Sequence, residues 1–473
     1  MQDGFCCSLD IMSTDSQTET RIDEVVREAD SKVIEINGFE IGNGHLRAQF
    51  AVMEAIERRI KMENGEKDGI VCRSFNLSQE DLRVSKVVAW LDKMLGVGYR
   101  NPGILVGISN SQFMKDVGNK IAFKMITTII RTADQGELDD KHPAKLRVAV
   151  HPHVSTATTS AAVHVVLDPY ADLYFTDHQE AVILVPDMKT GLRAKELDMK
   201  NVVVVGPMVA RSVVEARERF DARLKELTED KKGLRIMIST GGNMTHGKEI
   251  AGLTRAYLKA ITEGANIEKI YVMVSQSEEM RDEFNKILEH QPGWIRDKFQ
   301  LIYSEDRMVV VQEADKAMGE ADVIHAKTGE MVYSVGGGKV FETFSKIQGP
   351  SLAVQEVSLR EYVETQGVMK DENGKKIAAL AEGMTDYEKE VENILWQLAD
   401  GMLVKRMKAG LKVPVDGADV AASIVYNILK GDQSEKFRRK TVYGKLVEVV
   451  SKRLGLKGRV LGPTDEKLEE AGV

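Results

Sequence analysis

Cysteine is scarce: the 473 residues contain only Cys6, Cys7 and Cys72. Three thiols cannot make a disulfide framework, and a reducing, cytoplasmic setting is expected. Long apolar runs are missing too. None approaches the roughly 18–20 residues that a membrane span needs. The segment Met1 to Gln17 lacks the charged and apolar regions of a secretory signal. Positive charge is not in excess. The formal net charge is −8, which disfavours nucleic acid as a main partner. No short-period internal repeat is visible, so a solenoid is excluded.

What is present is a soluble globular composition, 43% hydrophobic and 29% charged, in a chain long enough for two or three domains. From Lys32 onward, short apolar runs alternate with amphipathic segments. Strands are expected at Val33–Ile36, Gly69–Phe75, Gly103–Ser109, Leu146–His151, Ala161–Leu167, Ala181–Val185 and Val202–Val205. Helices are expected between them at Leu46–Glu63, Gln79–Met94, Asn110–Ala133 and Thr190–Leu197. Gly206-Pro207 breaks this pattern, and a long charged helix is predicted over Arg211–Leu227. The alternation then restarts, with strands at Leu234–Ser239, Lys269–Ser275, Phe299–Tyr303 and Val323–His325 and helices at Glu249–Glu263, Glu278–Leu288 and Val309–Met318. The fold class implied is α/β, with two doubly wound, Rossmann-like parallel-sheet domains facing a cleft and followed by C-terminal helices.

The expected division is a loose N-terminus at 1–30, an acceptor-side domain at 31–210 and a nucleotide-sugar domain at 211–380. C-terminal helices at 381–434 would return to the first domain, and a basic amphipathic tail spans 435–473. Between Glu435 and Val460 nine basic residues stand against two glutamates, with Val442, Leu446, Val449, Val450 and Leu454 interleaved at helical spacing. Two readings stay open: a helix lying on a membrane surface, and an ordinary helix packed on the protein with a solvated basic face.

Two glycine turns stand out, each between an expected strand and an expected helix. The first is Gly42-Asn43-Gly44-His45. Glycines let backbone approach a ligand, a helix N-terminus offers unpaired N–H groups, and an imidazole can move a proton near neutral pH. The third glycine of a dinucleotide fingerprint is absent, its place taken by Arg47. The second turn is Gly241-Gly242-Asn243, an anion cradle without the Gly-Lys-Thr/Ser ending of a nucleotide-hydrolysing P-loop. Downstream come Lys327-Thr328-Gly329 after a strand, a three-glycine run at Gly336–Gly338, and the pair Gln355-Glu356, an amide and a carboxylate suited to a sugar's hydroxyls. Asp-x-Asp is absent from the second domain, so no required metal is expected.

These turns resemble those of GT-B glycosyltransferases of the diacylglycerol group, the monogalactosyldiacylglycerol synthases and processive diacylglycerol glucosyltransferases, with the cell-wall N-acetylglucosaminyltransferase acting on lipid-linked muramoyl peptide a more distant relative. The resemblance spans roughly Val33 to Gly367. It implies transfer of a hexose from a UDP-sugar to an acceptor hydroxyl, with inversion and no cofactor beyond that co-substrate. His45 would be the base, with Gly42, Asn43, Gly44, His151 and Asp168 on the acceptor side. Gly241, Gly242, Asn243, Lys327, Thr328, Gly329, Gln355 and Glu356 would hold the donor. Backbone at Arg307-Met308 would read the uracil, and Glu342, with Glu330 as rival, would hold the ribose. The stretch Glu330–Gly338 reads as an insertion relative to that family, and Val166-Leu167-Asp168-Pro169 matches its aspartate segment only loosely. A lipid acceptor and peripheral membrane contact through the tail are the implied partners, besides the nucleotide sugar. The alternatives are a nucleotide-sugar 2-epimerase on the same fold and a catalytically inactive nucleotide-sugar-binding protein. An NAD-dependent oxidoreductase is a distant third.

Overall fold

The computed structural model describes residues 33–38, 43–76, 86, 144–150, 161–167, 181–196, 199, 201–239, 247–344 and 354–430. The expected strand Gly103–Ser109, the helix Asn110–Ala133, all but Lys86 of Gln79–Met94, the N-terminal segment and the basic tail lie outside the described residues.

The first domain is built on six parallel strands: β1 (Val33–Gly38), β2 (Val71–Asn76), β3 (Leu146–Ala149), β4 (Ala161–Val165), β5 (Val182–Val185) and β6 (Asn201–Val204). Their order is β2-β1-β3-β4-β5-β6. Parallel strands covered on both faces read as unbroken apolar runs, as in Val182–Val185, which is buried throughout. One face packs on α1 (Asn43–Met62), through Ala48, Val52, Ala55 and Ile56. The other face meets α2 (Met188–Glu196) at its β5–β6 end. Toward β1 that face is charged. Glu35 is fully buried, accepts hydrogen bonds from Asn37 and Arg73 at 2.9 and 2.6 Å, and is paired with the buried Arg147.

The linker to the second domain is helical but not straight. In place of one long helix over Arg211–Leu227 there are two, α3 (Arg211–Glu218) and α4 (Phe220–Thr228). Arg219, at φ −97° and ψ 7°, makes the bend. The bend drops Phe220 into the core against Gly338, whose φ of +76° and missing Cβ make room for the ring.

The second sheet has strands β7 (Leu234–Ser239), β8 (Ile267–Ser275), β9 (Phe299–Tyr303), β10 (Val323–Ala326), β11 (Val340–Thr343) and, past a small hairpin of β12 (Val368–Lys370) and β13 (Lys376–Ala378), β14 (Leu380–Glu382). The order is β14-β11-β10-β7-β8-β9, and the described pairings are parallel. Helices α5 (Gly247–Thr262), α6 (Glu278–Leu288), α7 (Gly293–Arg296), α8 (Arg307–Glu320) and α9 (Val354–Gln366) connect the strands. Side-chain caps fix two of these starts: Ser277 accepts from the Met280 N–H and Asp306 from the Met308 N–H. Two doubly wound parallel-sheet domains are therefore present, the architecture expected from the alternation of elements.

The expected C-terminal helices begin with α10 (Tyr387–Ala399) and α11 (Met402–Gly410), separated where Gly401 adopts φ +78°. The chain then crosses back. Helix α12 (Gly417–Lys430) buries Val420, Ala421, Ile424 and Val425 against the first domain's core beside α1. The two crossings between domains touch at Gly206 and Gly417, where a Cβ on Gly417 would press into the Gly206 and Pro207 carbonyls. Among the described residues no helix is long and apolar enough to cross a membrane.

Candidate functional site

Each sheet has one point where neighbouring strands send the chain in opposite directions, and open α/β sheets bind ligands at the carboxyl edge there. In the first sheet β1 lies between β2 and β3. The chain leaves β1 at Gly38 and enters α1 at Asn43, and it leaves β3 just before His151. In the second sheet the point lies between β7 and β10. Ser239 ends β7 ahead of the Gly241 turn, and Ala326 ends β10 ahead of Lys327-Thr328-Gly329. The strands that precede the two glycine turns, His151 and the Lys327 turn thus border the two switch points.

The turns themselves are only partly described. Gly42, His151, Asp168, Gly241, Gly242 and Asn243 lie outside the described residues. Asn43, Gly44 and His45 form the first turn of α1, and Gln355 and Glu356 the first turn of α9, as helix backbone. Thr328 is buried, and its hydroxyl shares a 2.8 Å hydrogen bond with that of Thr343, pinning the turn after β10 to the end of β11. Lys327 beside it is half-buried. At Gly329 an added Cβ would meet nothing, so packing does not demand glycine there. Arg307 and Met308 open α8 at the end of β9, where the Arg307 Nε–H donates to Gln276 at 3.3 Å. An open groove of about 1440 Å³ adjoins the start of α5, with Lys248, Arg255, Lys286, Glu279 and Asp386 on its walls.

The two rival glutamates are placed very differently. Glu342 lies within β11, is buried and is paired with Arg406 of α11, which also donates to Gln397 at 2.9 Å. Burial raises its carboxyl above the usual range, against the pull of Arg406. In the same interior the Tyr257 hydroxyl and His325 Nε2 are 2.7 Å apart, and burial together with Arg406 holds His325 down to about 3. Glu330, by contrast, is half-buried at the start of a 3₁₀ helix, Glu330–Gly337, directly after the Lys327 turn.

That 3₁₀ helix is the stretch that reads as inserted, and it is core. Met331 through Gly337 are all buried. Met331 Sδ is 3.5 Å from the Ser239 hydroxyl, over the end of β7. Tyr333 crosses to the first domain, its hydroxyl donating to the Leu167 carbonyl at 3.3 Å beyond the end of β4.

A second tie was missed in the sequence. Arg47, three residues past Gly44, is buried and reaches into the second domain. Its Nε lies 3.1 Å from Asp315 of α8, and its terminal nitrogens lie 3.8 Å from the sulfurs of Met318 and Met273. Burial, with a contribution from Glu54, pushes Asp315 up to about 7, while Arg47 pulls it down. The available signal was a lone arginine on an apolar helix face, beside Leu46 and Phe50. Ser275, in the left-handed region at φ +54° at the end of β8, had no such signal.

No protein-family model matches the chain, and no curated protein matches it. Several solved structures are similar in shape. A putative UDP-N-acetylglucosamine 2-epimerase from Listeria monocytogenes is 10% identical, with TM-score 0.46, covering 85% of this chain and 96% of its own. UDP-GlcNAc 2-epimerase from Neisseria meningitidis, solved with UDP-GlcNAc, is 13% identical, with TM-score 0.45 and coverage of 84% and 99%. WaaG, a glycosyltransferase involved in lipopolysaccharide biosynthesis, is 10% identical, with TM-score 0.41 and coverage of 83% and 99%. Identities and scores at this level do not identify a chemistry, nor do they single out the diacylglycerol group.

Proposed function

We propose that the cleft between the two domains takes a UDP-linked hexose and transfers the hexose to an acceptor hydroxyl with inversion. One observation carries this: β1, which leads to Gly42–His45, and β7, which leads to Gly241–Asn243, each border the switch point of a separate sheet, and α1 touches the second domain through Arg47 and Asp315.

In this mechanism the acceptor oxygen attacks the anomeric carbon, the bond from that carbon to the diphosphate breaks, and the acceptor proton passes to His45. UDP leaves with the bonding pair. Amide groups around Gly241–Asn243 and at the start of α5, with Lys327, stabilise its growing negative charge. Backbone at Arg307-Met308 reads the uracil, and Gln355 and Glu356 hold the sugar hydroxyls. The ribose falls to Glu330 rather than Glu342, because the Glu342 carboxylate is already engaged by Arg406 in the interior. A lipid is the acceptor proposed, with the basic tail at the membrane surface.

The test is incubation with a panel of radiolabelled UDP-sugars and mixed membrane lipids. Label should move to lipid, and His45→Ala should lower turnover while leaving UDP binding unchanged. Unchanged turnover in that variant removes the base assignment.

The second reading, a nucleotide-sugar 2-epimerase, uses the same donor turns and needs no acceptor. It draws on the Lys327 turn, the half-buried Glu330 directly after it and the start of α8, none of which depends on an acceptor. An epimerised UDP-sugar appearing without lipid would favour it. Tight UDP-sugar binding with no turnover at all would favour an inactive binding protein.

A further inference from the structure

The Arg47–Asp315 contact has three physical peculiarities. It joins the two domains rather than stabilising either one. Both side chains are almost fully enclosed. And although Nε and Oδ1 are 3.1 Å apart, neither the Arg47 Nε–H nor either Asp315 oxygen makes an aligned hydrogen bond. A buried pair with unsatisfied hydrogen bonds adds little net stability, but it fixes register, since losing one charge strands the other in a low dielectric.

The surroundings supply few substitutes for that counter-charge. From α1, Glu54 faces Asp315 as a like charge. From α3, Arg211 and Glu215 act on Glu54 with opposite signs, and Ser212 donates to the Asp315 backbone carbonyl at 2.5 Å rather than to its carboxylate. From α8 and β8 come only the thioethers of Met318 and Met273. Arg47 is thus the only cation shown acting on the carboxylate among the described residues, and it sits on the helix turn that follows His45.

We propose that Arg47 and Asp315 are a positioning pair, which sets the register between the domains and so holds the first turn of α1 over the carboxyl edge of the second sheet. The consequence for transfer rests on the function proposed above; the register itself does not.

The experiment measures interdomain distance by electron-spin resonance. The parent protein has Cys6, Cys7 and Cys72 changed to Ser, and labels are placed on cysteines at the exposed positions Lys61 and Glu263. At pH 8.5 Arg47→Met should broaden the distance distribution at least twofold, because the buried Asp315 loses the cation that holds it in register, whether it then stays charged or takes up a proton. In the Asp315→Asn background Arg47→Met should broaden the distribution no further. Arg47→Lys, which keeps the charge, should keep the parent's distribution. If Arg47→Met does not fold at pH 8.5, a folded Arg47→Lys with the parent's distribution still supports the pair. An unchanged distribution in Arg47→Met at pH 8.5, the same broadening in the Asp315→Asn background, or an Arg47→Lys variant as disturbed as Arg47→Met overturns it. In turnover, Arg47→Met should lower kcat at least fivefold with donor KM within twofold. The distances need no nucleotide, so a parent protein without transferase activity removes the proposed function and leaves the pair decided on its own.

Discussion

Two buried residues titrate in opposite senses, and together they set an acid response. Asp315 has a folded pKa near 7, above its ordinary 3.8, so the folded protein holds a proton there that the unfolded chain lacks between those values. Its contribution to stability therefore rises as the pH falls from about 7 to about 4. His325 has a folded pKa near 3, below its ordinary 6.5, so the unfolded chain binds the extra proton. Its contribution is lost as the pH falls from about 6.5 toward 3. Asp315→Asn should therefore lose stability more steeply than the parent on acidification from pH 7 to 4, and His325→Gln less steeply. Each slope change is on the order of a few kcal/mol across the window, and urea melts at four pH values would read it. Parallel slopes in all three proteins would remove both assignments. The two glutamates give a second test at this scale. Glu342→Gln should cost about 3 kcal/mol, by breaking a buried pair, with UDP affinity kept in the folded fraction. Glu330→Ala should keep the melting temperature and weaken UDP binding about tenfold, roughly 1.4 kcal/mol. A Glu342→Gln protein that melts normally and binds no UDP would reverse the choice.

At the scale of elements, the strands and helices with strong periodicity were legible before any coordinates. Val182–Val185 has only one sensible reading, and Gly206-Pro207 marks a real crossing between domains. What escaped has physical reasons. The bends at Arg219 and Asp400-Gly401 interrupt helices whose apolar spacing continues on both sides, so the pattern alone joins them. Strands β12 to β14 are three residues each, too short to alternate visibly. The 3₁₀ helix ends in three glycines, which read as loop, yet two of them let backbone approach closely: a Cβ on Gly336 would meet Val413, and one on Gly337 would lie 2.9 Å from the Val213 carbonyl. Glu342 fits a sequence pattern for ribose binding but folds inward, because β11 is covered on both faces. Arg47 and Asp315 are 268 residues apart, and nothing local announces that they meet. The paired crossings yield a prediction at this scale. Gly417→Ala forces a methyl group into the Gly206 and Pro207 carbonyls, and overpacking of that kind costs about 1–3 kcal/mol. It should lower the melting temperature by several degrees, whereas Gly293→Ala, where an added Cβ meets nothing and the backbone is not left-handed, should change stability by about 0.5 kcal/mol or less. Equal effects at the two positions would show that the crossings do not pack as described.

For the whole molecule the question is whether two crevices on two sheets act as one site. Each domain has its own apolar cores, so each could respond to a ligand alone. Among the described residues the ties between them include Arg47 to Asp315, Tyr333 to Leu167, and the return of α12 onto α1. Helix α8 joins the proposed donor site to the Arg47–Asp315 pair, since its start follows β9 at the expected uracil position and its Asp315 meets Arg47. A nucleotide that orders the start of α8 should therefore be felt in α1. Hydrogen exchange with saturating UDP should slow amides at 247–250, 307–310 and 327–330, and also at 46–50 in the other domain, by about tenfold, roughly 1.4 kcal/mol of added local stability. The effect at 46–50 should disappear in Arg47→Met while that at 327–330 persists. Protection confined to the second domain in the parent protein would mean that the nucleotide is bound without engaging the histidine turn, and transfer across the cleft would then have to give way to binding alone.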